Sequence, residues 1–581
     1  MLIRFDRTVT VLDPKGDIYG AFNQYYGKGE KIRDIDIRIY DQNGDLVTRV
    51  KPSEIKDLPA DDGFSLYTDS RIKYYRPAPN FYPYTIRVVY SFKTPNTAII
   101  PSFIPVYDYY LGVQKSTFIV SHPPNIKLFT SFKSSPYFHL QKTETNTLTS
   151  YTLQQAAPLY KEPFSPSFFN LVPVVKFRLN RFSLMGITGR ADSWKEMGDW
   201  IVTHLLNGVN SVSSATKNEI LKLIRTAKGP KEQAERIYEY MQRKTRYVSI
   251  QIGVGGWRPM PAYEVDQKAY GDCKALVNYT KSLMDIAGIK TFYTLVYAGT
   301  KRNIDSQVVG IQGNHAILMF PYQKDTIWME CTNHQIPFGF LGSFTDDRQV
   351  LVVKSGDSKI VKTPAYKDTE NIIFTGAQIT VDSTLGLHAQ TQIRSCGLAY
   401  EKTYFLDNLK KNEIALHYKQ KLHYIPGLNL YDVRFLNDKK HFCFTEQFQF
   451  HSKNYFIEFI DNEYIFRPNM FSVFENIPPE TKKRKFPVYI RNGFIHHDSI
   501  RFYLPAGITF AFVPENKKIE SRFGSYEVTF NKISDNQIIY ERILRLRAGT
   551  YPKETYEELR KFFLGIHKYD KKKIAIKKIE K

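Results

Sequence analysis

The sequence predicts a multidomain α+β protein, with a core of helices and strands between two antiparallel β-sandwich domains. Three observations predict it. A chain of 581 residues exceeds what one hydrophobic core organises, so about three or four domains are expected. Aromatic residues make up 15%, with 40 Tyr and 41 Phe, a bias that favours sheet. The hydrophobic pattern also changes twice, from strand-like to helical near Ser193 and back to strand-like near residue 370.

Residues 1–190 read as strands. The run Asp34-Ile35-Asp36-Ile37-Arg38-Ile39-Tyr40 alternates, meets a turn at Asn43-Gly44 and continues into Leu46-Val47, a hairpin signal. Residues 84–90 and 116–120 alternate in the same way. Proline-rich connectors over 163–173 close this unit, and a β-sandwich is its economical architecture. Ser193-Trp194-Lys195-Glu196 is then a capping box, followed at helical spacing by Trp194, Met197, Trp200, Ile201 and Leu205. A second helix starts at Pro230 and shows Ala234, Ile237, Tyr238 and Met241 on one face. A third opens near Cys273, carries Leu276, Thr280, Leu283 and Ala287 as a stripe, and stops at Gly288. Strands over 291–297, 315–320 and 326–331 complete an α+β domain over 191–355. From 365 to 581 strands return, at 377–381, 388–393, 501–504 and 526–530, with helical runs over 413–422 and 555–564. In the tail, Ile574, Ile576 and Ile579 interleave with Lys, as in a last strand with one wet face.

The formal net charge is +23, from 81 Lys+Arg against 58 Asp+Glu. The basic residues are scattered and no nucleic-acid motif accompanies them, so no nucleic-acid partner is expected. Lys482-Lys483-Arg484-Lys485, after Pro478-Pro479, reads as a solvated loop. No run approaches the roughly 18 apolar residues of a membrane helix. The start, MLIRFDRTVTVLDPKG, alternates like a strand and lacks the apolar region of a signal peptide. The expected location is therefore the periplasm or cell envelope if a leader has been removed, and the cytoplasm otherwise.

The four cysteines, Cys273, Cys331, Cys396 and Cys443, are too widely spaced for a disulfide framework or a paired-cysteine metal signature. His496-His497 fall on a strand and point to opposite faces, so no metal is expected there. Gly253-Val254-Gly255-Gly256 lacks the Lys-Ser/Thr of a phosphate loop, and no cofactor is expected.

One cysteine stands in a chemically loaded place. KAYGDCKALVNY, 268–279, puts Cys273 between a Gly-Asp turn and an apolar-periodic run. A helix N-terminus presents unpaired N–H groups and a partial positive charge, which favour a thiolate and an oxyanion. Gly271 permits a tight entry, and Asp272 reads as the helix cap. A thiol nucleophile needs a base, and the base a group to hold its tautomer. In Gly313-Asn314-His315-Ala316-Ile317-Leu318, His315 opens a strand. Thr326-Ile327-Trp328-Met329-Glu330-Cys331-Thr332 begins another, with the Glu330 carboxylate between apolar residues. If the two pair through a turn at 323–325, His315 and Glu330 become cross-strand neighbours. Cys331 then faces the core, and His334 lies close to the carboxylate.

The motifs Gly271-Asp272-Cys273-Lys274, Asn314-His315-Ala316 and Trp328-Met329-Glu330-Cys331-Thr332 resemble the three signatures of the transglutaminase-like superfamily. Arg246-Tyr247-Val248-Ser249-Ile250-Gln251-Ile252-Gly253, through Pro259, is similar to the segment before the cysteine in its bacterial members. The resemblance covers about 195–350. More loosely, the chain resembles exported bacterial proteins with an N-terminal β domain of unknown function, this core and a C-terminal β domain. It implies a papain-related fold and a triad: Cys273 as nucleophile, His315 as base, Glu330 as carboxylate where many relatives have Asp. It also implies acyl transfer at peptide or amide bonds through a thioester, with hydrolysis expected over cross-linking. The Cys273 N–H is an expected oxyanion donor, with Gln251, Tyr247 or Trp257 as candidates for the second. The competing expectation is a non-catalytic envelope-binding or assembly protein, whose β domains engage envelope proteins or glycans.

Overall fold

The computed structural model describes residues 1–579 except 61–66, 252–255, 300, 454, 457 and 473. The glycine run at 253–256 thus falls almost wholly outside the described residues.

The chain is β-rich and multidomain, with many antiparallel sheets. A four-stranded sheet orders Leu2–Val11, Tyr84–Lys93, Lys31–Tyr40 and Leu46–Arg49 side by side. The last two form the hairpin expected at Asn43-Gly44, with Arg38 opposite Arg49. Val11, Ile37, Ile39, Ile86 and Val88 make its core, and Phe22 from a separate three-stranded sheet packs into it. A second apolar cluster, around Val106, Tyr151, Leu153, Val175 and Phe177, gathers the strands Val113–Ser121, Leu148–Ala156 and Val174–Leu179. The first 190 residues therefore hold two cores instead of one sandwich. Each small set of sheets closes over its own apolar residues.

Phe486, far along the sequence, is fully buried in that second cluster. Just before it, Arg484 donates to the carbonyls of Pro163 at 2.7 Å and Phe164 at 3.0 Å, its side chain 4% exposed. Lys482, Lys483 and Lys485 are exposed in a loop as expected, and Arg484 alone departs from it, because its guanidinium satisfies carbonyls of the proline-rich connector.

The middle of the chain carries the helices Trp194–Ile201, Ser214–Ile224, Pro230–Lys244, Ala262–Lys268 and Cys273–Ile286. They accompany a five-stranded antiparallel sheet in the order Asp325–Met329, His315–Tyr322, Phe292–Val296, Gln349–Val352, Lys359–Lys362. Ser193 accepts from the Glu196 N–H at 3.2 Å, as its capping sequence predicts. The helix Cys273–Ile286 is buried on nearly every side instead of along one stripe. It lies against three other helices and the strand His315–Tyr322, so its polar residues bond backbone: Asn278 to Val209 O at 2.8 Å, Thr280 to Leu276 O at 2.7 Å.

The C-terminal part centres on an eight-stranded sheet, in the order Asn429–Asp438, Cys443–Ser452, Leu387–Cys396, Ile372–Val381, Phe494–Tyr503, Gln537–Leu546, Gly524–Ser534, Lys517–Ser521. The expectation of a purely antiparallel domain needs correction: Ile372–Val381 and Phe494–Tyr503 run parallel. The chain leaves after the first and returns beside it more than 100 residues later, joining two antiparallel halves. A four-stranded sheet and the helix Tyr556–Asp570 share its apolar core. Beneath that helix Arg542 bridges Asp570 at 2.7 Å and Asp498 at 3.1 Å, all three side chains almost wholly buried. The terminal strand, Ile574–Lys578, buries Ile574, Ala575 and Ile576 in succession, and Ile579 is exposed. The expected wet face is thus absent over 574–576, where the strand takes an inner place in its sheet.

Cys396 and Cys443 form a disulfide, against the expectation from spacing. They are 47 residues apart in sequence but exact partners in the register of adjacent strands, with Cα atoms 4.2 Å apart. Spacing does not report register. Among the described residues, no helix is long and apolar enough to cross a membrane.

Candidate active site

Cys273 is the first residue of its helix and is 6% exposed. Asp272 caps the helix by accepting from the Ala275 N–H at 2.9 Å, and its other oxygen pairs with the buried Lys274 ammonium. Gly271 keeps the entry close: a Cβ there would fall 2.8 Å from the Ala275 Cβ. The Cys273 backbone N–H, in the first turn, has no carbonyl four residues back to meet.

The histidine arrives on the strand His315–Tyr322. The preceding Gly313 has φ of +109°, and a Cβ there would meet the Val296 carbonyl at 3.0 Å, so the turn suits glycine. Asn314 accepts from the Ala298 N–H at 2.7 Å, which pins the strand's entry. Glu330 follows directly after the strand Asp325–Met329, which pairs antiparallel with the histidine strand. Its carboxylate meets His315 Nε2 at 2.9 and 3.1 Å. The Cys273 side chain bears on the same imidazole and favours its charged form. Thr332 donates to Glu330 through both its hydroxyl, at 2.6 Å, and its N–H, at 3.1 Å. Tyr238, buried on the helix Pro230–Lys244, donates to the Glu330 carbonyl at 2.5 Å.

The electrostatics follow from this wiring. Burial works against a charged His315, but Glu330 and the Cys273 contact outweigh it and raise its pKa to about 10. Burial works against a charged Glu330 too, and His315 with the two Thr332 bonds holds it below its ordinary value. Burial pushes the Cys331 thiol well up, and Cys331 packs into the core. The site is closely covered, with His315 9% and Glu330 1% exposed. Phe344 stands edge-on to the His315 ring, 5.3 Å between centroids, and is itself exposed.

Tyr247 is half-buried on a short strand parallel to Tyr270–Gly271, where Cys273, Asp272 and Glu330 all bear on its hydroxyl. Trp257 is half-buried against the central core. The Gln251 side chain lies outside the described residues. His334 is exposed and turned to the Gln242 carbonyl at 3.0 Å. Thr332, Tyr238 and Phe344 are additions that sequence reasoning missed. Only Thr332, two residues after the carboxylate, carried a local signal. Among the described residues no group of His, Cys, Asp and Glu has the makings of a metal site. His496 is half-buried, and desolvation lowers its pKa to about 4.

Two stretches match family models, both described as domains of unknown function with a solved structure. Residues 3–159 match DUF3857 and residues 462–576 match DUF3858. No curated protein matches the chain. A solved structure of a candidate protease from Parabacteroides distasonis is similar over 99% of this chain and 95% of its own, with a TM-score of 0.62 and 13% identity. At that identity the likeness is one of fold. The chain is thus a multidomain protein in which matches to two domains of unknown function lie on either side of the residues that hold the candidate site.

Proposed function

We propose that the chain is a transglutaminase-like thiol enzyme that cleaves peptide or amide bonds, with Cys273, His315 and Glu330 as its triad. The observation that carries this reading is the buried His315–Glu330 pair at 2.9 Å, on whose imidazole the Cys273 side chain bears, with the cysteine at a helix N-terminus. The sulfur attacks the carbonyl carbon and the Cys273 N–H stabilises the oxyanion, with Tyr247 as second donor. His315 passes a proton to the departing amine, leaving a thioester. Water, activated by His315, then releases the acid and frees the sulfur. Glu330 keeps the imidazole oriented and stabilises its charged form. The full-length fold likeness to a candidate protease supports peptides or proteins as substrates. The Cys396–Cys443 disulfide supports an oxidising location such as the periplasm or cell envelope.

The test is alkylation followed by turnover. At neutral pH, Cys273 is expected to react with iodoacetamide at least about tenfold faster than Cys331, and His315→Ala to remove that advantage. Amide cleavage, read as new amino groups in a mixed peptide library, should vanish in Cys273→Ala. Equal, slow labelling of both thiols, or cleavage that survives Cys273→Ala, would overturn the assignment.

A further inference from the structure

The outer face of the eight-stranded sheet holds a groove of about 480 Å³ across the strands that contain residues 376–378, 390–392, 432–434 and 447–449. That volume is within the range of small-ligand sites. Strand register arranges its side chains in rows. Gln378, Gln390 and Gln449 stand opposite one another on successive strands, and Gln392 stands beside Gln447 in the next row. Exposed sheet faces usually carry charge or hydroxyls. Here five neutral amides occupy adjoining positions.

Three further features shape the groove. Gly376 stands beside Gln392 where a sixth side chain would be, and the Phe374 ring takes that space, 3.2 Å from where a Cβ would lie. The strand Asn429–Asp438 bulges between Tyr431 and Arg434, with Asp432 in the left-handed region at φ of 48°. Bulges re-aim side chains, and this one lets Asp432 accept from Gln449 at 3.3 Å and from Arg434 at 3.0 Å. The half-buried Phe374 lines the groove as well and supplies an apolar surface. Within a chain of net charge +23, the charges lining this groove, Asp432 and Arg434, cancel in one ion pair.

We propose that this groove binds a neutral oligosaccharide. Each amide offers two donors and an acceptor, the complement of neighbouring hydroxyls on a sugar. Amides repeating across strands at ~4.8 Å suit an extended polyhydroxylated chain better than a compact metabolite. Gln447 donates to Gln392 at 3.2 Å, which fixes one pair in advance. Gln378 and Gln390 make no side-chain hydrogen bond to other described residues, so their full bonding capacity faces the groove. Charge neutrality disfavours acidic polymers, which the rest of the surface would attract. None of this depends on the triad.

The experiment is affinity electrophoresis of the full chain carrying Cys273→Ala, in gels containing xyloglucan, mixed-linkage glucan, galactomannan or amylopectin, and in parallel polygalacturonate or alginate. The expected result is retardation by at least one neutral polymer, insensitive to added salt. Joint replacement Gln390→Ala and Gln392→Ala should weaken it about tenfold or more, and Gly376→Leu, which crowds the Phe374 ring at the floor, should abolish it. The glutamines are exposed, so their variants keep the parent melting temperature and decide the matter if Gly376→Leu unfolds. No retardation by any neutral polymer, retardation unchanged in the glutamine variant, or salt-sensitive retardation by the acidic polymers alone would each overturn the proposal.

Discussion

His315 and Glu330 are buried together, and their opposite pKa shifts define a pH window. His315 is raised from 6.5 to about 10, so the stability it contributes is full below 6.5 and is lost as pH rises toward 10. Glu330 is lowered from 4.5, so its contribution is present above 4.5 and is lost on acidification. Both act fully between 4.5 and 6.5. Replacing Glu330 by Gln leaves a buried imidazolium without its partner and should cost about 3 kcal/mol in that window. Hydrogen exchange of residues 315–322 should show this deficit near pH 5.5 and show it shrinking toward pH 10. A deficit constant across pH would mean that the pair is not ionised. Cys273, His315 and Glu330 are legible in the sequence because each stands at an element boundary within a distinctive local motif. Phe344 and Tyr238 are not, because they reach the site only when loop and helix fold onto it.

At the scale of elements, the opening turn of the cysteine helix does two jobs through one residue. Asp272 satisfies the Ala275 N–H and also neutralises buried Lys274. Loss of a cap alone costs about 1 kcal/mol. Asp272→Ala also leaves an ammonium buried without its partner, so its cost should exceed that by a further ~1–3 kcal/mol. Asp272→Asn keeps the acceptor and removes the charge, and should fall between parent and alanine. Thermal melting orders the three; equal losses in both variants would show that the cap contact contributes nothing separable. The helices that begin at Trp194, Pro230 and Cys273 are legible from caps and periodicity, since those signals are local, whereas Ser214–Ile224 and Ala262–Lys268 go unread. The parallel junction in the C-terminal sheet and the Cys396–Cys443 bridge are not. Strand order and register arise between segments about 50 to 120 residues apart, where no local pattern reaches.

At the scale of the whole molecule, Phe486 and Arg484 tie the C-terminal part to the early strands. Phe486 is fully buried among Val106, Val175 and Phe177. Phe486→Ala should cost about 3–5 kcal/mol locally. Hydrogen exchange is expected to accelerate in the strands Leu148–Ala156 and Val174–Leu179, and to stay unchanged in His315–Tyr322. Uniform acceleration everywhere would show instead that the chain unfolds as one unit. The broad layout, strands then helices then strands, is legible from the hydrophobic period. This tie is not, because a basic cluster after two prolines has the local look of surface.

The same tie bears on synthesis. Phe177 leaves the ribosome roughly 300 residues before Phe486 does, an interval of about 15–60 s at ~5–20 residues per second. For that time the second early core lacks an aromatic side chain it later buries completely, and its apolar lining faces the cytosol or the exit channel. A nascent chain of this design offers an early, long-lived site for a chaperone.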